Sequence, residues 1–553
     1  MPTLTWVGKD KVVNHHHEVP FRVLNKQYSF SQPSSHKDHQ KDQLQLYSSP
    51  KSSSNSQANS VNNRIIHGDN LEALKSLLPE FEGKVDCIYI DPPYNTGNEA
   101  WVYNDAVNDP KIKKWLGQVV GKEGEDLSRH DKWLCMMYPR LKLLQRLLSS
   151  NGFFFVSIDA FEFGHLKVLL DEIFGVQNFR NCIAVRRGVK NVQSQFDELQ
   201  ALSLGHEYIF LYSKNTSSKL PKLTKAHDEV KAGKWDTFWR GTDRPTMRYE
   251  IFGVNPPSGQ WRWENGRTSR AINNYLDFKA NHAQHISIDD FFLDRLQATN
   301  EKLDFVRLSE NGVVQYYVPP QGSKLANDQW MDITLSGAFT DFDTEKNVEV
   351  LDRIVGWITG ENPNAIILDS FAGSGTTAHA VLNLNAKDGG NRRFILVETM
   401  DYAETMTAQR VRRVMTGYGE GSKSVPGLGG SFDFYTIGEP IFLDDDNFNE
   451  SIGISVIRDY VAFTEGILES DRVGQDNPYS PHLLGLNSEI AWLFNYELDK
   501  VTVLDLHYLA GIRFGLKKPQ FSIIYADRCL LDEAFMTKHG ISFKKIPRDI
   551  TRF

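Results

Sequence analysis

Residues 87–97 read CIYIDPPYNTG: a short apolar run, then an acid, two prolines and a tyrosine. An acid at the C-terminal end of a parallel strand stands where open α/β sheets keep their ligands. Pro92 and Pro93 lack backbone donors and fix two φ angles. Acceptors are what remain on this turn, namely the Asp91 carboxylate and the Pro92 carbonyl. Two rigidly held acceptors suit a target that donates two hydrogens, such as an exocyclic amine. Holding both hydrogens draws the amine toward tetrahedral geometry and frees its lone pair to attack a methyl sulfonium in line. Tyr94 offers a ring face to a base, a contact worth about 1–3 kcal/mol.

A second stretch, DSFAGSGTT at 369–377, follows the apolar run AIILD and precedes a helical pattern at 378–384. Glycines here let the backbone turn tightly and approach a ligand closely. A phosphate loop requires a lysine after its last glycine, and a dinucleotide fingerprint requires a third glycine; neither is present. The next apolar run, 393–397, ends on Glu398, the position where such folds hold a ribose diol. Asp369, Gly373, Gly375, Thr376 and Glu398 therefore suit a nucleoside ligand without a pyrophosphate. S-adenosylmethionine fits, with Gly373 and Gly375 near its methionine portion and Glu398 on the ribose hydroxyls.

Positioning these groups requires a sheet. Apolar spacing predicts helices over 71–78, 133–149 and 163–174, the second interrupted by Pro139 and ended by Asn151 and Gly152. Strands are predicted to end at Ile90 and to span 153–158, 182–187, 207–212, 365–369 and 521–525. Alternating strands and helices give an α/β domain on a mainly parallel sheet. The alternation weakens over 216–325, where Trp235, Trp239, Trp261 and Trp263 stand among Arg, Lys, Gly and Pro. Residues 34–60 are rich in Ser, Gln, Asn and Lys and read as a loosely held insert.

At 553 residues the chain exceeds one core and divides into domains. The net charge of −8 points away from nucleic acid, but residues 176–250 carry 13 Lys+Arg against 8 Asp+Glu. A basic stretch inside an acidic chain is consistent with a DNA-facing patch. The four cysteines are far apart with no Cys-x-x-Cys spacing, which fits a reducing compartment and argues against structural zinc. His15, His16 and His17 lie in a polar arm without partners at ligand spacing, so no metal is expected. No apolar run approaches the ~18 residues of a membrane span, and the N-terminus lacks a secretory core, so a cytoplasmic chain is expected.

Asp91-Pro92-Pro93-Tyr94 resembles the catalytic signature of DNA amino-methyltransferases, with Asp typical of adenine N6 enzymes and Ser of cytosine N4 enzymes. The catalytic turn precedes the FAGSGTT loop, an order similar to the beta class, which inserts its recognition region between the two halves. Segments 3–20 (TLTWVGKDKVVNHHHEVP), 67–74 (HGDNLEAL), 133–141 (WLCMMYPRL), 151–159 (NGFFFVSID), 206–215 (HEYIFLYSKN), 342–350 (FDTEKNVEV) and 541–550 (ISFKKIPRDI) resemble the modification subunit of Type III restriction-modification systems. The resemblance covers most of the chain outside 34–60 and much of 216–330.

The resemblance implies a circularly permuted, Rossmann-like methyltransferase with a mainly parallel seven-stranded sheet. It implies an N-terminal arm with the insert (1–60), a catalytic half (61–215), a target recognition domain (216–325), a cofactor half (326–420) and a C-terminal domain for dimerisation or partner docking (421–553). Residue by residue, it places Asp69 on the cofactor's adenine, Thr344, Glu345 and Lys346 at the methionine end, and Phe371 against the cofactor. Asn347 stands where the family has proline, a departure that bears on the local backbone. Arg240, Arg244 and Arg262 are candidates for phosphate or base-edge contacts. The implied activity is methyl transfer to N6 of an adenine flipped out of double-stranded DNA, in a homodimer partnered by a helicase-nuclease restriction subunit. The alternatives are a stand-alone methyltransferase, cytosine N4 or RNA methylation, and a non-catalytic DNA-binding subunit; the last predicts a broken turn, whereas Asp91 and Tyr94 are intact.

Overall fold

The computed structural model describes residues 3–33, 63–95, 129–188, 202, 204–334, 339–340, 345–421, 424–474 and 476–548. Its main sheet comprises β1 (Arg22–Gln32), β2 (Asn63–His67), β3 (Val85–Ile90), β4 (Leu148–Ile158), β5 (Phe179–Arg186), β6 (His206–Ser213), β7 (Gln329–Trp330), β8 (Ile366–Asp369), β9 (Arg393–Glu398) and β10 (Gly430–Pro440). The spatial order is β1-β10-β2-β9-β8-β3-β4-β6-β5-β7. From β10 to β4 every pair is parallel. β6 runs antiparallel to both of its neighbours.

The sheet has ten strands where seven were expected. The seven from β2 to β5 form its centre, and the other three lie at the edges. On one side β10 pairs with β2, and β1 closes antiparallel on β10. Tyr28 stacks on Phe434 across that pair, with ring centroids 5.2 Å apart. This covers an edge strand whose Ile65 and Ile66 are fully buried. Strands β3, β8 and β9 are apolar along nearly their whole length because both faces of a parallel sheet are packed by helices.

The helix after β2 is Asn70–Phe81, with Leu71, Leu74, Leu77 and Leu78 buried as the periodicity predicts. The next helix, Arg129–Leu147, starts earlier than predicted and holds Pro139 in its interior. It stops at Leu147, and Asn151 and Gly152 lie inside β4. The β3–β4 register slips between Val85 opposite Leu148 and Cys87 opposite Phe153. A Cβ on Gly152 would come within 2.9 Å of the Val85 carbonyl oxygen. A glycine is therefore needed where the strands draw together, rather than as a helix stop.

Residues Lys222–Asn327 form a separate compact unit. Its cores are built on Phe238, Trp261 and Val306, and on Phe278, Phe291 and Phe305. The remainder, including the C-terminal region, is one unit. That region adds a sheet of Leu483–Leu486, Ile490–Phe494, Phe521–Ala526 and Ile541–Lys545 over a core containing Ile457, Val461 and Phe494. The Phe21 ring meets Tyr460 edge-on at 5.1 Å, joining the N-terminal arm to this core. The insert at 34–60 lies outside the described residues.

Candidate active site

Four neighbouring strands lead into an acid at their carboxyl ends. Glu398 and Asp369 are the last residues of β9 and β8, Asp91 follows β3, and Asp69 lies two residues past β2. The sheet thus presents a row of acceptors along one rim, where open α/β folds bind ligands.

At the β3 end, Tyr94 donates its hydroxyl to Asp91 Oδ1 at 2.6 Å. Lys346 Nζ reaches the same oxygen at 3.2 Å and donates to the Tyr94 hydroxyl at 2.8 Å. Glu207, near the start of β6, accepts from Lys346 at 2.7 Å and lies 3.2 Å from the Tyr94 hydroxyl. Asp91 Oδ2 has no hydrogen-bond partner among the described residues. Burial lifts the Asp91 carboxyl above its ordinary range; Lys346 opposes this and Glu207 adds to it. Burial alone would lower the Lys346 ammonium, but Asp91 and Glu207 outweigh it and hold it above the usual lysine value. One cation shared between two acids stays charged, while each acid is only partly neutralised. Behind the turn, Trp133 Nε1 donates to the Pro93 carbonyl at 2.7 Å, fixing the backbone at its second proline.

At the β8 end, Asp369 accepts from the Thr377 hydroxyl at 2.5 Å and the Phe371 N–H at 3.0 Å. Gly373 and Gly375 both take left-handed φ, of 51° and 85°. A Cβ on Gly375 would meet the Thr407 carbonyl oxygen at 3.2 Å, so glycine suits both the angle and the space. Glu398 accepts the Gly373 N–H at 2.7 Å and the Met400 N–H at 2.9 Å. Burial pushes both acids up to about 7. Arg410, 1% exposed, braces the loop through Ser374 Oγ at 2.7 Å and Thr376 Oγ1 at 2.9 Å, and pairs with Glu345 at 2.7 Å.

Asp69 caps the Asn70–Phe81 helix, accepting from the Leu71 N–H at 2.8 Å, and lies 3.4 Å from Arg140. Asn70 bridges Arg140 to the Ser370 carbonyl, linking the glycine loop to the Arg129–Leu147 helix. Thr344 lies outside the described residues. Asn347, in the place of the family's proline, caps the Val348–Thr359 helix through the Glu349 N–H at 2.9 Å. A proline cannot supply that side-chain acceptor, so the departure exchanges one helix-starting device for another.

In the separate unit, Arg240 and Arg244 are exposed. The Arg262 guanidinium stacks 4.7 Å over Tyr316, and its Nε donates to the Thr237 carbonyl. The N-terminal histidines do not form a ligand group: His16 is 4% exposed, and burial lowers its imidazole to about 4. Among the described residues, the one grouping with ligand spacing is His130, Glu162 and His165. Its imidazoles hydrogen-bond the buried Glu162 at 2.6 and 2.9 Å, and Asn95 donates to the same carboxylate. This ties the residue after Tyr94 to two helix starts. Glu207, Arg410, Arg140 and Glu162 were not read as site residues from the sequence; the faint signal for Glu207 was an acid opening an otherwise apolar strand.

The rim acids suit a ligand bearing a cation and a diol. Ser370 Oγ is buried without a hydrogen-bond partner among the described residues. This donor and acceptor set fits S-adenosylmethionine.

An open α/β sheet with an acceptor turn beside an acid-rimmed glycine loop defines a Rossmann-like group-transfer enzyme. The DNA methylase family model N6_N4_Mtase matches residues 85–409, and the chain belongs to that family. It is 29% identical over 473 residues to the Type III restriction-modification enzyme StyLTI Mod subunit of Salmonella typhimurium, covering 77% of this chain and 68% of that protein. It is 32% identical over 369 residues to the Type II methyltransferase M.KpnI of Klebsiella pneumoniae, covering 62% of this chain and 81% of that one. Among solved structures, the M1.HpyAVI–SAM complex aligns with 63% of this chain and 98% of its own, at 17% identity and a TM-score of 0.29.

Proposed function

We propose that this chain methylates the N6 amine of adenine in DNA, using S-adenosylmethionine, as the modification subunit of a cytoplasmic Type III-like system. The observation that carries the reading is the turn at the end of β3. Asp91 Oδ2 and the Pro92 carbonyl are left to accept hydrogens, on a backbone fixed by two prolines and by Trp133. S-adenosylmethionine, when bound, supplies the methyl group. Gly373, Gly375, Thr376, Phe371, Asp369 and Glu398 would hold it, together with Asp69 and the segment of Thr344, Glu345 and Lys346. The Tyr94 ring stacks on the extruded base, and Asp91 orients the amine. Raised by burial, Asp91 is also placed to take the proton the amine releases.

Adenine is favoured over cytosine by the Asp form of the turn. The unit Lys222–Asn327 is assigned to target recognition, with exposed Arg240, Arg244 and Trp239 facing DNA. The C-terminal region, where Leu506 and Leu530 are exposed, is assigned to dimerisation or to docking a helicase-nuclease restriction subunit. Modification-sensitive long-read sequencing of DNA from a host with and without the chain tests the reading. New N6-methyladenine at one motif supports it; N4-methylcytosine or no mark refutes it. Asp91→Ala should abolish the mark and leave cofactor affinity within a few fold.

A further inference from the structure

Resting on that reading, we propose that Glu207 is a positioning residue for methyl transfer. It holds the Lys346 ammonium between Asp91 and Tyr94, so that one Asp91 oxygen is tethered and the other is presented to the amine. Three side chains, two from the turn after β3 and one from β6, converge on Lys346 Nζ, at 2.7 Å for Glu207 Oε1, 2.8 Å for the Tyr94 hydroxyl and 3.2 Å for Asp91 Oδ1. These are the three donors an ammonium has. The side chains of Glu207 and Lys346 are only 11% and 12% exposed. A cation pinned in this way consumes one Asp91 oxygen and fixes the carboxylate plane. It also directs the Tyr94 hydroxyl along the edge of the site, which sets the tilt of the ring that receives the base.

The electrostatics give Glu207 a signature that a packing role lacks. The charged and titratable groups acting on Asp91 are Lys346, Glu207 and Tyr94, with Tyr89 beneath it and Asp369 on the adjacent strand. Glu207 draws on the cation that Asp91 also needs, and adds like charge of its own. Removing that charge should lower the pH at which Asp91 ionises, whereas removing the Lys346 charge should raise it.

The test is single-turnover methyl transfer to a duplex carrying the site, at saturating S-adenosylmethionine, across pH, with full-length wild type, E207Q, E207D, K346M and D91N. Asp369 and Glu398, pushed up to about 7 by burial, also titrate in the site, so the readout is the displacement of each variant's acid limb from that of wild type. E207Q should shift the limb down by about one pH unit and K346M up by about one to three, both with lower rates, while E207D keeps the wild-type position. A lower rate with an unmoved limb in E207Q would overturn the inference and leave the proposed activity standing. An inactive wild type would instead overturn the proposed activity, and an active D91N would overturn the role of Asp91 and the inference with it. Should E207Q melt far below wild type, the E207D and K346M limbs decide: an unmoved K346M limb overturns the inference.

Discussion

Replacing Tyr94 separates what its ring contributes from what its hydroxyl contributes. The hydroxyl donates to Asp91 at 2.6 Å and accepts from Lys346 at 2.8 Å, both inside a largely buried site. A hydrogen bond to a charged group contributes about 1.5–3 kcal/mol. Tyr94→Phe keeps the ring but leaves Asp91 Oδ1 with Lys346 alone, at 3.2 Å. The rate of methyl transfer should therefore fall about 10- to 100-fold. Tyr94→Ala also removes the stacking surface, at about 1–3 kcal/mol per base, for a further loss of roughly 5- to 150-fold. The assay is transfer of a labelled methyl group to an oligonucleotide duplex under single-turnover conditions, with cofactor affinity measured separately by calorimetry. A Phe variant as fast as wild type would refute the role of the hydroxyl network. Equal rates for Phe and Ala would refute the ring-face contact.

Burial sets Glu398 near 7, so its ionised fraction grows between pH 6 and 8. A ligand diol donates to the carboxylate form, so S-adenosylmethionine affinity should rise with pH across that window, by up to about tenfold per unit below the pKa. Glu398→Gln should flatten part of that slope, leaving the share due to Asp369; a titration that is flat in wild type contradicts the assignment. In the C-terminal region Asp527 and Arg548 form a buried pair with two contacts, at 2.7 and 2.5 Å. Burial opposes ionisation of Asp527, but the Arg548 and Thr502 hydrogen bonds outweigh it and depress its pKa. Its stabilisation is thus present above the ordinary carboxylate value and is lost as pH falls through the lowered one. Arg548→Met should destabilise the fold by about 3–5 kcal/mol in denaturant unfolding at pH 7, and a loss under 1 kcal/mol would argue against a tight pair. DNA affinity should fall steeply with salt, and Arg240→Ala and Arg244→Ala should each reduce the log–log slope by about 1. Unchanged slopes would remove these two from the interface.

What the sequence revealed about this site was what lies close along the chain. Asp91, Asp369 and Glu398 each end a short apolar run, so a strand and its terminal acid are read together. Gly375 was legible because glycine suits its left-handed backbone beside Thr407. The Lys346–Glu207 pair was not legible, because its members are 139 residues apart in the chain and meet only in the fold. Arg410 and Arg140 escaped for a related reason: each acts from a helix, on backbone and side chains that the helix pattern does not name. The stop placed at Gly152 failed because glycine has two uses. Here it serves the close approach of two strands, and the helix had already ended at Leu147. The three added strands were missed because β1 and β10 alternate only weakly between buried and exposed positions, and β7 is two residues long.

The pairing of Arg22–Gln32 with Gly430–Pro440 has a bearing on synthesis. Among the described strands of this sheet, the earliest in the chain waits for the latest, and until then the flank of Asn63–His67 has no neighbour on that side. A product truncated before residue 430 would carry both glycine-loop and proline-turn motifs intact, yet expose two unzipped ribbons. Such fragments should aggregate rather than survive as small working enzymes.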